Sequence, residues 1–201
     1  MRVKDMCLKN NNPFIWVSIF IFFFTKAVFA DEKEIHNIIN YLGDLKLFSS
    51  SFIQDDGESI SEGEIFIGLK RVRVEYKTPS KILIILEKDK AMYYNYDLDE
   101  DEFFNPKDTA AWFFFDIFNN PEIFYESTLI KEKNYIVIKK EENNEIGEYN
   151  LNVYFENNPL LIRKIVLIHQ DTQLVLSIFN HTYNKEYDKN FFKLINPTFF
   201  D

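Results

Sequence analysis

The segment Gly63–Tyr96, GEIFIGLKRVRVEYKTPSKILIILEKDKAMYYNY, constrains the fold more than any other part of the chain. Ile65, Ile67 and Leu69 alternate with Glu64, Phe66 and Gly68, and Val72, Val74 and Tyr76 alternate with Arg71, Arg73 and Glu75. A period of two puts one face of each strand on a core and the other toward water. Only short polar stretches, Lys77-Thr78-Pro79-Ser80 and Glu87-Lys88-Asp89-Lys90, separate the runs. Connections this short join antiparallel neighbours, because parallel strands need a long crossover. Lys81–Leu86 (KILIIL) is apolar on both faces, so it requires cover on each side. Ala91–Tyr96 places Met92, Tyr94 and Tyr96 together on one face, and Phe103-Phe104 resumes the sheet after the acidic turn Asp97–Glu102.

Helices flank this sheet in the expectation. Over Glu32–Leu47, the residues Ile35, Ile38, Ile39, Leu42 and Leu45 form one apolar stripe, and Asp31, Glu32 and Glu34 suit the positive end of the helix dipole. Asp108–Phe118 (DTAAWFFFDIF) reads as a short helix with Asp108 as N-cap and Pro121 beyond its end. Trp112, Phe113, Phe114, Phe115, Ile117 and Phe118 leave it no wide polar face. Such a helix either fills a core or covers a cavity. Further strands are expected at Ile123–Ile130, Tyr135–Lys140, Glu148–Phe155, Leu161–Ile168 and Gln173–Phe179, and the apolar tail Phe191–Asp201 as an edge segment.

The N-terminus has the layout of a secretory signal: Arg2, Lys4 and Lys9, then the apolar run Phe14–Phe24, then Val28-Phe29-Ala30 before Asp31. The alternative is an uncleaved anchor, for which the run is short. Residues 1–30 are therefore expected to be a signal peptide and residues 31–201 one exported domain. Cys7 lies in the leader, so the exported chain has no thiol or disulfide and depends on its core. The 201-residue chain has a net charge of −9; residues 1–30 hold four of its 23 basic residues and one of its 32 acidic ones, leaving −12 for the rest. That surface repels phosphates and argues against nucleic acid as a partner.

Little here carries chemistry. His36, His169 and His181 form no metal-binding pair, and neither a phosphate loop nor a GxSxG elbow is present. The acidic clusters Asp97–Glu102 and Glu141–Glu145 lack the layout of a calcium loop. His169 could join a serine and an aspartate, though a histidine beside a turn is usually solvated. No enzyme, metal or cofactor is expected. Lys70, Arg71 and Arg73 form the one basic concentration in the sheet, either a polar latch or exposed residues balancing nearby acids. An aromatic, half-closed sheet with a movable cover suits acyl chains.

The order of an N-terminal amphipathic helix, Phe52-Ile53-Gln54, Gly63-Glu64-x-Phe66, Arg71-x-Arg73-x-Glu75-Tyr76-x-x-Pro79 and a Tyr-rich strand ending Tyr96-Asp97 resembles the periplasmic outer-membrane lipoprotein carriers, the LolA family. Phe192-Lys193-Leu194-Ile195-Asn196-Pro197 is similar to that family's closing segment. The resemblance implies an α+β, mainly β fold: a strongly curved antiparallel half-barrel with short helices as a lid over an apolar cavity. It implies a soluble monomer that receives acylated lipoproteins from an inner-membrane ABC lipoprotein exporter and passes them to an outer-membrane lipoprotein receptor. The acyl-chain cavity is then expected to involve Phe52, Val72, Val74, Tyr76, Leu83, Tyr94, Trp112 and Phe115. The family commonly has Arg-Pro where this chain has Gly68-Leu69-Lys70, so the lid latch is expected at Lys70 or Arg71, or is absent. Two other readings share the fold: a lipoprotein-binding sensor, which would usually carry a second domain, and an anchored receptor, which would need a cysteine at the cleavage point.

Overall fold

The computed structural model describes residues 31–144, 147–169 and 172–200. The expected signal peptide and Cys7 lie outside the described residues, as does the 170–171 turn of the last hairpin. The chain divides into residues 1–34, of which 31–34 are described and helical, and a compact unit from Ile35 to Asp201.

Within that unit, helix α1 covers residues 35–44 and is followed by six strands: β1 (Phe48–Asp55), β2 (Ile60–Gly68), β3 (Arg71–Thr78), β4 (Ile82–Leu86), β5 (Ala91–Asn95) and β6 (Glu100–Phe104). A 3₁₀ turn (Pro106–Asp108), helix α2 (Ala111–Asn119) and a second 3₁₀ turn (Pro121–Phe124) come next. The chain then returns to strands: β7 (Thr128–Lys131), β8 (Tyr135–Asn144), β9 (Gly147–Asn157), β10 (Leu160–His169) and β11 (Thr172–Thr182). All pair antiparallel in one curved, unclosed sheet of order β6-β5-β4-β3-β2-β1-β11-β10-β9-β8-β7. The half-barrel expectation holds. Bulges at Ser49/Ser51 in β1 and Ile162/Lys164 in β10 help bend it.

The β9–β10 bulge falls at Arg163; Ile162 beside it still pairs with Phe155 of β9, and on the β11 side two side chains satisfy its backbone. Its N–H donates to Tyr41 Oη at 3.1 Å, and its carbonyl lies 2.8 Å from His181 Nε2. Tyr41 comes from α1 and His181 from β11, so the bend is tied to both. This gives His181 a structural task that the sequence does not announce.

The concave face holds the main core. Ile38 and Leu42 of α1 reach it with Ile65, Ile67, Val72, Leu151, Val153 and Phe155. The α1 stripe therefore packs as its periodicity requires. α2 starts later than the sequence suggests: Asp108 closes the preceding 3₁₀ turn, and Ala110 stands at the N-cap without a side-chain bond. Pro121 begins another 3₁₀ turn that buries Phe124, so Ile123–Ile130 is strand only from Thr128. The acidic Glu100–Glu102 also belongs to a strand, β6, and not to the turn before it.

The tail departs most from expectation. It pairs with no strand edge among the described residues. It runs over the convex face as a strap: Lys185 N–H donates to the Leu47 carbonyl at 2.8 Å and Tyr187 Oη to the Phe48 carbonyl at 2.8 Å. Phe191 meets Phe66 edge-on at 5.0 Å, Leu194 packs on Leu83, Ile85, Met92 and Tyr94, and Asn196 reaches Asp101 of β6 at 3.2 Å. The strap is the convex cover that KILIIL requires.

Candidate functional site: an apolar cavity under helix α2

The cavity is built from the sheet's alternation. Side chains that leave the concave faces of β1, β2, β3, β4 and β11 converge below α2 and enclose about 170 Å³. Phe52, Ile65, Val74, Ile84, Leu86 and Leu176 form its walls, while Ala110, Ala111 and Phe114 close it from above. Small alanines at the start of α2 leave the space, and the Phe114 ring bounds it. Phe52 lies edge-on to Tyr76, with ring centroids 5.2 Å apart at 80°. Gly63 makes this possible: a Cβ there would lie 2.7 Å from Phe52 Cζ and collide with the Glu75 carbonyl.

Two polar side chains enter this lining, Gln54 and Tyr76. Tyr76 Oη donates to Gln54 Oε1 at 2.8 Å. Burial, reinforced by the charge of Asp56, pushes the Tyr76 hydroxyl up to about 12, so it stays a neutral donor. No lysine, arginine or histidine is among the lining residues.

The structure gathers some of the expected cavity residues and separates others. Phe52, Val74 and Tyr76 line the space. Val72 is on the same face but wholly buried, packed in the core one position along from the lining. Trp112 and Phe115 stack on each other at 5.4 Å and pack into that core, while Phe114 supplies the ring at the cavity. Leu83 and Tyr94 are on the wrong side of the sheet. Leu83 pairs with Glu75 and Tyr94, so it shares the convex face with them and sits under the strap. Ile84 and Leu86, which pair with Val74 and Val72, take the inward positions.

Neither basic residue expected as a latch contacts α2. Arg71 forms an ion pair with Glu87 at 3.0 Å. Lys70 is exposed in the β2–β3 turn at φ 56° and makes no side-chain bond among the described residues. Arg73 holds a different element. Its Nη1 donates to the Phe191 carbonyl at 2.6 Å, its guanidinium lies 4.3 Å from the centre of that ring, and Nε pairs with Glu75 at 2.6 Å. It pins the strap to the convex face. α2 is held by aromatic packing, including Phe113 against Tyr149 at 4.2 Å.

α2 also carries a buried carboxyl, Asp116, which accepts from Asn120 Nδ2. Burial raises it to about 6, with Glu142 adding to the rise. His169 lies in a depression with Asp108 and Thr109, and the described lining there contains no serine.

No protein-family model and no curated protein matches this chain. Among solved structures, an uncharacterized conserved protein from Thermus thermophilus is similar over 79% of this chain and 95% of its own, at 10% identity and TM-score 0.50. MucB is similar over 82% of this chain and 62% of its own, at 10% identity and TM-score 0.51. This chain thus spans less than two thirds of MucB. At these identities the likeness is one of fold: a curved, unclosed antiparallel sheet with helices on its concave face.

Proposed function

We propose that this protein is a periplasmic chaperone that shields lipoprotein acyl chains and carries lipoproteins from the inner to the outer membrane. In this reading it is exported by residues 1–30 and works as a soluble monomer without catalytic activity or cofactor. It loads from an inner-membrane ABC exporter and unloads to an outer-membrane receptor. The observation that carries the reading is the apolar cavity under α2, walled by a strand face and closed by aromatic packing that could be exchanged for another apolar partner. Burying an acyl chain gains about 0.8 kcal/mol per CH₂. Cargo competes with the contacts of Phe114 and its neighbours for the same wall, so binding is reversible by design. Release requires only an acceptor that binds the chains somewhat better.

The test uses purified residues 31–201 and inner-membrane vesicles bearing an acylated lipoprotein. The expected result is a soluble one-to-one complex that gives up the lipoprotein to outer-membrane vesicles. Complex formation without delivery would favour the sensor reading. Failure to bind lipoprotein at all would remove both.

A further inference from the structure

The cavity is apolar except at one place, and that place is specific in its chemistry. Gln54 Oε1 is already occupied by the Tyr76 hydroxyl, which fixes the amide. Gln54 is a lining residue and only its Oε1 is bonded among the described residues, so its Nε2 keeps two N–H donors. No cation accompanies them in the lining, and the charge that acts on Tyr76 is that of Asp56, an acid. A neutral carbonyl can accept from such a donor without further compensation. A carboxylate would bring a full charge beside an apolar wall with no counter-ion, which is costly. Acyl esters and fatty-acid anions share the same hydrocarbon, so this polar group is where the two can be told apart.

We propose that Gln54, held by Tyr76, is a specificity-determining residue: its amide N–H donates to the carbonyl of an acyl ester, and the cavity selects neutral acyl esters over free fatty-acid anions. Tyr76 acts as a positioning residue, because it orients Gln54. The inference rests on the reading of the cavity as an acyl-chain site and adds which acyl compounds enter it. A donor placed where no carbonyl comes would instead disfavour an alkane, so esters and alkanes should part at this residue.

The experiment measures displacement of Nile red from purified residues 31–201 by methyl decanoate, decanoate and undecane at pH 8. The expected order is methyl decanoate tighter than decanoate by tenfold or more. Gln54→Leu should weaken methyl decanoate about three- to tenfold, the worth of one neutral hydrogen bond, and leave undecane unchanged or tighter. Gln54→Lys should improve decanoate, because it supplies the missing cation. Should Gln54→Leu fail to fold, the wild-type protein still answers. The Gln54 side-chain amide resonances should shift with methyl decanoate and not with undecane. An unchanged ester-to-alkane ratio in Gln54→Leu, or equal wild-type binding of ester and anion, overturns the role of Gln54 while keeping the acyl site. Absence of any displacement from wild type overturns the acyl site and this inference together.

Discussion

A methyl group at Gly63 would collide with the backbone carbonyl of Glu75 and the ring of Phe52, whereas one at Gly68 would meet only Phe192, 2.7 Å away. The two glycines therefore serve opposite faces. Gly63→Ala forces backbone apart beside the cavity, and overpacking of that kind costs about 1–3 kcal/mol. Gly68→Ala presses on one ring of the strap, which can move. Urea denaturation should show the larger loss for Gly63→Ala, and limited proteolysis should cut the tail faster in Gly68→Ala alone. Two ionisable groups, Asp116 buried and His181 half-buried, set opposing pH trends. Asp116 is raised from 3.8 to about 6 by burial, so its contribution to stability is fullest below pH 3.8 and is lost as pH rises through 6. His181 is lowered from 6.5 by burial, so its contribution is present above that value and lost as pH falls below it. Asp116→Asn keeps a partner for Asn120 and should melt higher than wild type at pH 7. That advantage should shrink toward pH 4; an advantage that is the same at both values would mean that Asp116 is charged in the folded protein throughout.

At the scale of elements, the sequence discloses what local periodicity encodes and hides what depends on register. The β3 face Val72, Val74, Tyr76 is legible because alternation alone defines it. The β4 strand is legible as doubly covered, yet not which of its residues faces the cavity. That depends on Tyr76 pairing with Ile82, which a turn of several residues sets and the apolar run does not reveal. Hence Leu83 and Tyr94 are expected inside and lie outside. The strap is hidden for another reason. Tyr187, Phe191, Phe192 and Leu194 follow neither period, since they are spaced to fill gaps in a surface. A signal exists in Phe66, a large ring in the outward phase of β2, which needs a cover. Removing residues 187–201 should uncover Phe66, Leu83, Ile85, Met92 and Tyr94. Each such side chain is worth about 1.5–3 kcal/mol when fully buried. The truncated protein should melt well below wild type. A truncated chain with an unchanged melting temperature would show that the strap contributes nothing to the fold.

For the whole molecule, the volume sets the terms. About 170 Å³ lies below the roughly 300–1,000 Å³ usual for ligand pockets. In the proposed reading, a space this small does not take a long acyl chain as it stands, so loading requires α2 to lift from the sheet. Its hold is apolar: Phe113, Phe115, Ile117 and Phe118 are buried in the core shared with α1, and no basic side chain ties α2 to β2 or β3 among the described residues. In the proposed reading, cargo replaces the sheet as the partner of these rings, which couples opening to loading. Residues 31–201 contain a single tryptophan, Trp112, at the start of this helix and stacked on Phe115. Its emission should therefore report the movement. Titration with methyl decanoate or a diacylglyceryl lipopeptide should shift Trp112 emission in step with displacement of Nile red. Phe114→Ala, which removes the ring bounding the cavity, should bring the same change at lower ligand concentration, because less packing is given up on opening. Saturable binding with Trp112 emission unmoved would mean that chains enter without displacing α2, and the helix would then be fixed core and not a lid.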